Sequence, residues 1–187
     1  NGPNAPHRPT AGFVQEARNQ QEVRYKAISA MARDFPNQVG IAYTPADMRR
    51  LQGEGKLAIF ISMLNAYPLG NDLNLLDKWT ARGMRMFGFS YIGNNDWADS
   101  SRPLPFFNDT ADAFDGLSDI GQRAVQRLND LGVIIDVSHM STKALEQVSY
   151  LSRTPMVASH SVPRAMVDIP RNLSDKELLL IKNSGGV

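Results

Sequence analysis

The feature that most constrains this chain is a pair of short, unbroken apolar runs, each ending in a histidine. One is Val133–His139 (VIIDVSH), the other Pro155–His160 (PMVASH), and a helix-like segment follows each. Runs without alternation are the pattern of parallel strands covered on both faces. A residue at the carboxyl end of such a strand faces the mouth of an α/β fold, where ligands bind. His139 and His160, on successive strands, can therefore reach one metal ion, and neutral imidazole is the commonest metal ligand. The same placement also suits two rim histidines that only hydrogen-bond their neighbours. Spacing alone does not separate the two readings.

The rest of the chain repeats the strand–helix alternation. Residues 1–10, with three prolines and His7, predict an irregular lead-in to a single domain over 1–187. Val23, Ala27, Ile28, Ala30 and Met31 lie on one helical stripe, predicting a helix from Gly12 to Phe35. A short strand is expected over Val39–Tyr43. Thr44, Pro45 and Asp47 suit the cap, first position and first turn of the next helix. Leu57–Leu64 reads as one strand, Asp72–Arg82 as a helix stopped by Gly83, and Met84–Tyr91 as another strand. A polar loop of Asn, Asp and Pro covers Ile92–Gly116, and loops that long in a compact domain are functional or disordered. Leu117 to Leu131 and Ser141 to Ser152 are the helices around the first histidine strand. Ser174 and Glu177 form a capping box before a last helix through Leu178–Ile181.

Strands alternating with helices imply parallel βαβ units, and right-handed crossovers put all strand carboxyl ends on one rim. That rim holds Leu64, Asn65, Tyr91, His139 and His160. Four long strands are too few for a closed eight-stranded barrel, so the fold class is α/β, either an open doubly wound sheet or part of a barrel. No glycine-rich phosphate loop follows a strand, which weakens a nucleotide-binding reading. With 20 Lys and Arg against 19 Asp and Glu, charge gives no pointer to nucleic acid. The absence of cysteine excludes disulfides, thiolate metal sites and a cysteine nucleophile. No apolar run approaches the ~20 residues of a membrane helix, and no signal peptide is recognisable.

Several motifs together resemble the membrane (renal-type) dipeptidase family of zinc peptidases. They are Gly121–Ser141 (GQRAVQRLNDLGVIIDVSHMS), Thr154–Ser161 (TPMVASHS), Arg171-Asn172 and Gly185–Val187 (GGV). Gly55–Ala58 (GKLA), Asn65–Gly70 (NAYPLG), Arg82–Arg85 (RGMR) and Asn95–Ser101 (NDWADSS) extend the likeness over about residues 20 to 187. The resemblance implies a (β/α)8 barrel of the metal-dependent hydrolase type, of which this chain carries about half the strands. It also implies dipeptide hydrolysis with two zinc ions. His139 and His160 match two metal ligands, and Arg171 matches the arginine that holds the substrate carboxylate. Asn65 lies on the substrate side of the rim, and Asp136 is a candidate to orient a ligand from behind. A strand-end hydrogen bond is the alternative role for Asp136.

Two departures stand out. The family's bridging glutamate corresponds to Leu64, which cannot bridge cations, and a substrate-contacting histidine corresponds to Tyr91. Tyrosine can still donate a hydrogen bond to a developing oxyanion. Asp96 and Asp99 are the nearest candidates for a substitute carboxylate, or else loop caps. The number of zinc ions, one or two, stays open. The expected function is a zinc-dependent dipeptidase, with a catalytically impaired relative that binds a peptide-like ligand as the alternative. The chain alone is expected to be inactive and, with two open sheet edges, to aggregate or form a homodimer. An extracytoplasmic compartment, periplasmic or secreted, is favoured over a cytoplasmic one.

Overall fold

A computed structural model describes residues 11–105 and 108–187, so the expected lead-in and His7 lie outside the described residues. Helix α1 (Ala11–Asp34) is followed by β1 (Val39–Ile41), α2 (Pro45–Gly53), β2 (Leu57–Ile59) and β3 (Ser62–Leu64). A 3-10 turn at Tyr67–Leu69 leads to α3 (Leu75–Ala81) and β4 (Met86–Gly88). Then come α4 (Asp119–Asp130), β5 (Ile134–Asp136), α5 (Thr142–Leu151), β6 (Met156–Val157) and α6 (Asp175–Asn183). The helix–strand alternation read from the sequence is observed except at β2 and β3, which follow one another without a helix between them.

Every strand pairing is parallel. β3, β4, β5 and β6 form one sheet in that order, and β1 pairs with β2. The single strand expected over Leu57–Leu64 is two strands serving two sheets. The Ile59 carbonyl accepts from Ala42 N at 2.8 Å, whereas the Ile61 carbonyl accepts from Arg85 N at 2.9 Å. Carbonyls two residues apart point the same way in a regular strand. Turning them to opposite neighbours requires the backbone to rotate at Phe60, which ends one strand and starts the next.

Register separates the two faces of the main sheet. Met63, Phe87, Ile135 and Met156 lie side by side and are all buried. This face carries the core, where Phe87 meets Phe89 edge-on at 5.3 Å and Trp97 at 5.8 Å. The next residues along, Leu64, Gly88, Asp136 and Val157, share the opposite face. Leu64 and Asp136 thus share the face opposite that core.

Local chemistry sets the helix ends. Thr44 and Asp47 form a reciprocal capping box at α2, with Pro45 in the first turn, and Ser174 with Glu177 does the same at α6. The α6 helix extends three residues before and two after the expected Leu178–Ile181 core. Helix α3 starts later than Asp72 because the Asp72 carboxylate accepts from Asn74 N at 3.0 Å, a turn that competes with the helix. Gly83 follows α3 with φ at 107°, a left-handed conformation that favours glycine. The Arg82 guanidinium packs over the rings of Tyr25 and Trp79, 4.1 Å from each centroid, and pairs with Glu22, pinning α1 to α3. Among the described residues no helix is long and apolar enough to cross a membrane.

Candidate active site at the carboxyl rim

His139 leaves β5 in a left-handed conformation, φ 70°, which is uncommon for a residue with a Cβ and is held only where the surroundings enforce it. They do so through its carbonyl. Ser90 Oγ donates to that oxygen at 3.0 Å and Ser101 N at 2.8 Å. The long polar loop is the source of the second bond. Its described part is ordered by short side chains: the Asp99 carboxylate accepts from Phe114 N and Gly116 N, and Asn95 Oδ1 accepts from Trp97 N at 2.8 Å. The loop is a brace for the first histidine.

The two predicted histidines meet. His139 Nε2 and His160 Nε2 lie 2.9 Å apart, with ring centroids at 4.8 Å. His139 is only 5% exposed, and its Nδ1 is buried without a hydrogen-bond partner among the described residues. Burial, reinforced by the Arg171 charge and the neighbouring His160 ring, lowers the His139 pKa to about 4. The imidazole is therefore neutral near pH 7, the form that binds metals. Tyr91 sets its ring edge-on against His139, centroids 4.7 Å apart. Arg171 Nη2 donates to the His160 carbonyl at 2.6 Å, which fixes the guanidinium beside the pair.

Asp136 is bonded to both strand ends. Its Oδ1 accepts from Ser138 N at 3.0 Å and Ser159 N at 3.1 Å, and its Oδ2 accepts from Ser159 Oγ. Both proposed roles, strand-end brace and support behind a ligand, draw on these same contacts. Asn65 also has a left-handed φ of 85°. Its Oδ1 accepts from Tyr67 N at 3.1 Å and Asn95 Nδ2 at 2.8 Å, so the side chain ties the β3 turn to the loop. Leu64, Asn65 and Tyr91 line one cavity of about 620 Å³ between the β3 edge and α1, together with Gln21 and Tyr25.

Leu64 ends β3 in lateral register with Gly88 and, one strand further, Asp136. A Cβ on Gly88 would lie 2.8 Å from Leu64 Cδ1, so the leucine leans into the space the glycine leaves. Among the described residues, neither Asp96 nor Asp99 supplies a carboxylate beside it. Asp99 is spent on the loop backbone, and Asp96 lines a different cavity at the start of α4, with Asn71, Ser118 and Arg123. Among the described residues no three His, Cys, Asp or Glu side chains could share a metal. The donor set fits half of a single coordination shell, because catalytic zinc takes three protein ligands and a water. A bridged pair of cations needs a shared carboxylate, and the side chain of Leu64 is alkyl.

Sequence reasoning missed the serines. Ser90, Ser138 and Ser159 hold the histidine backbones and rings, and the dipeptide Ser-His at both strand ends was the legible trace of two of them.

With the geometry in place, comparison with known proteins is direct. The family described as membrane dipeptidase (peptidase family M19) matches residues 4–187. Dipeptidase 3 of Macaca fascicularis is 33% identical over 137 residues, covering 73% of this chain and 28% of that protein. The probable dipeptidase PvdM from Pseudomonas aeruginosa is 75% identical with a TM-score of 0.94, over 97% of this chain and 46% of its own. A metallo peptidase from Rhodobacter sphaeroides, liganded with a phosphinate mimic of the dipeptide L-Ala-D-Ala, is 26% identical with a TM-score of 0.85, over 93% of this chain and 49% of its own. The chain spans under half the length of each of these relatives, and its fold is a partial barrel of the α/β class. From residue 4 to its last residue, this chain belongs to the membrane dipeptidase family, peptidase family M19.

Proposed function

We propose that this chain supplies the histidine half of a metal-dependent dipeptidase site, holding one zinc ion through His139 Nε2 and His160 Nε2. The observation that carries the reading is the 2.9 Å convergence of those two nitrogens on the rim. A bound zinc ion supplies Lewis acidity toward a peptide carbonyl and a water nucleophile near neutral pH. The residues of this chain do the rest. His139 is held neutral by burial and so offers a lone pair rather than a charge. Arg171, anchored on the His160 carbonyl, presents a permanent cation to the carboxylate terminus of a dipeptide. Tyr91 stands against His139, where its hydroxyl can donate to an oxyanion, and Asn65 shapes the wall of the same cavity.

Leu64 favours a second reading, in which the protein binds a peptide-like ligand without turning it over. Assaying the complete protein on L-L and L-D dipeptides, with and without zinc, separates the two. Hydrolysis that is lost with a chelator and in His139→Ala supports the first. Binding without turnover, indifferent to zinc, supports the second and overturns the first.

A further inference from the structure

The two histidines differ in what stands behind them. His139 Nδ1 has no hydrogen-bond partner among the described residues. His160 Nδ1 meets Ser159 Oγ at 2.7 Å, and the same hydroxyl bonds Asp136 Oδ2. Asp136 is 4% exposed, and its Oδ1 accepts from two backbone N–H groups. The carboxylate itself is 4.0 Å from His160 Nδ1, too far for a direct hydrogen bond, so the hydroxyl is the link.

Counting donors fixes the protons. A serine hydroxyl has one proton, and an ionised carboxylate accepts only. Bonds to an ionised acceptor are the stronger ones, so Ser159 gives its proton to Asp136. Toward His160 it can then only accept, which requires the proton on Nδ1. We propose that Ser159 is a positioning residue which, backed by Asp136, locks His160 in the Nδ1–H tautomer with its Nε2 lone pair aimed at His139 Nε2. Without metal, His139 closes the 2.9 Å gap by carrying its own proton on Nε2, and its unpartnered Nδ1 is bare. The rings therefore hold opposite tautomers. When a cation enters between them, only His139 has to move its proton; His160 is preset. Ligating histidines usually send their second ring N–H directly to a carboxylate or carbonyl. Here a hydroxyl is interposed.

The test uses the complete protein, stripped of metal and labelled with 15N-histidine. Long-range 1H–15N spectra should show His160 with a protonated Nδ1 and a pyridine-type Nε2, and His139 the reverse. Ser159→Ala should release His160 into a tautomer mixture and weaken zinc binding, measured against a competing chelator, by about 10–100-fold. Ser159→Thr keeps the hydroxyl and should restore both readouts. The zinc arm rests on the proposed function; the tautomer arm does not. A tautomer shift without a change in zinc affinity supports the lock and counts against the metal reading. An Nε2–H His160 in the wild-type protein overturns the lock, and so does a folded Ser159→Ala with an unchanged tautomer. Should Ser159→Ala fail to fold, the wild-type spectrum and Ser159→Thr still decide, because loss of the Nδ1–H form in either refutes the lock.

Discussion

Replacing Leu64 with glutamate should trade stability for metal capacity. Leu64 is 39% exposed, so it keeps somewhat over half of the ~1.5–3 kcal/mol that a buried leucine contributes, about 1–2 kcal/mol. Its lateral partner Gly88 separates it from Asp136, two strand spacings away or roughly 9.6 Å. Two carboxylates at that separation repel by about 2 kcal/mol at an effective dielectric constant near 20. Without metal, Leu64→Glu should therefore lose about 3–4 kcal/mol. Zinc at a hundred times its dissociation constant returns about 2.7 kcal/mol through linkage, and the glutamate gives a second cation a ligand it lacks in the native chain. The assay is urea unfolding of the complete wild-type and variant proteins in chelator and in zinc, with zinc per chain counted by plasma mass spectrometry. The expected result is at most one tightly held zinc in the wild type. The variant should be weaker in chelator, and should take up more zinc and gain more stability from it. Two tightly held zinc ions in the wild type, or equal zinc stabilisation of both proteins, would refute the reasoning.

Two further outcomes follow from the packing and the charges. A Cβ on Gly121 would lie 2.0 Å from the Trp97 carbonyl oxygen, which also accepts from Ser118 N at 3.1 Å. Gly121→Ala should therefore cost about 2–4 kcal/mol in denaturant unfolding, from overpacking plus a weakened hydrogen bond, and a loss under ~0.5 kcal/mol would contradict the contact. Asp99 is fully buried, and burial raises its pKa above the usual 3.8. Between the raised value and 3.8 the folded chain binds a proton that the unfolded chain does not, so this group adds stability as pH falls through that window. The stability of wild type minus that of Asp99→Asn should increase on acidification from pH 7 toward 4; a difference that decreases would show the carboxylate is not held in that way.

Much of this was written in the chain's local pattern. Apolar runs ending at His139 and His160, helical stripes between them, and caps at Thr44 and Ser174 determined the parallel α/β alternation, because period and capping are properties of neighbouring residues. Those same runs placed both histidines on one rim. Arg171 came only with the family motifs, since nothing in its immediate neighbours distinguishes it from a surface residue; Tyr91 was placed on the rim by its strand, and only its expected role came with those motifs. Folding alone decided the rest. The Leu57–Leu64 run is one strand by composition and two by hydrogen bonding, because the direction of a carbonyl depends on which neighbour is present to receive it. His139 is neutral because the fold buries it and brings the Arg171 charge near, and a histidine in sequence has no burial. Leu64 is an ordinary strand residue until β4 sets Gly88 beside it and β5 sets Asp136 one strand further on. The sequence named the two histidines; the tertiary structure decided that they touch and what stands behind each of them.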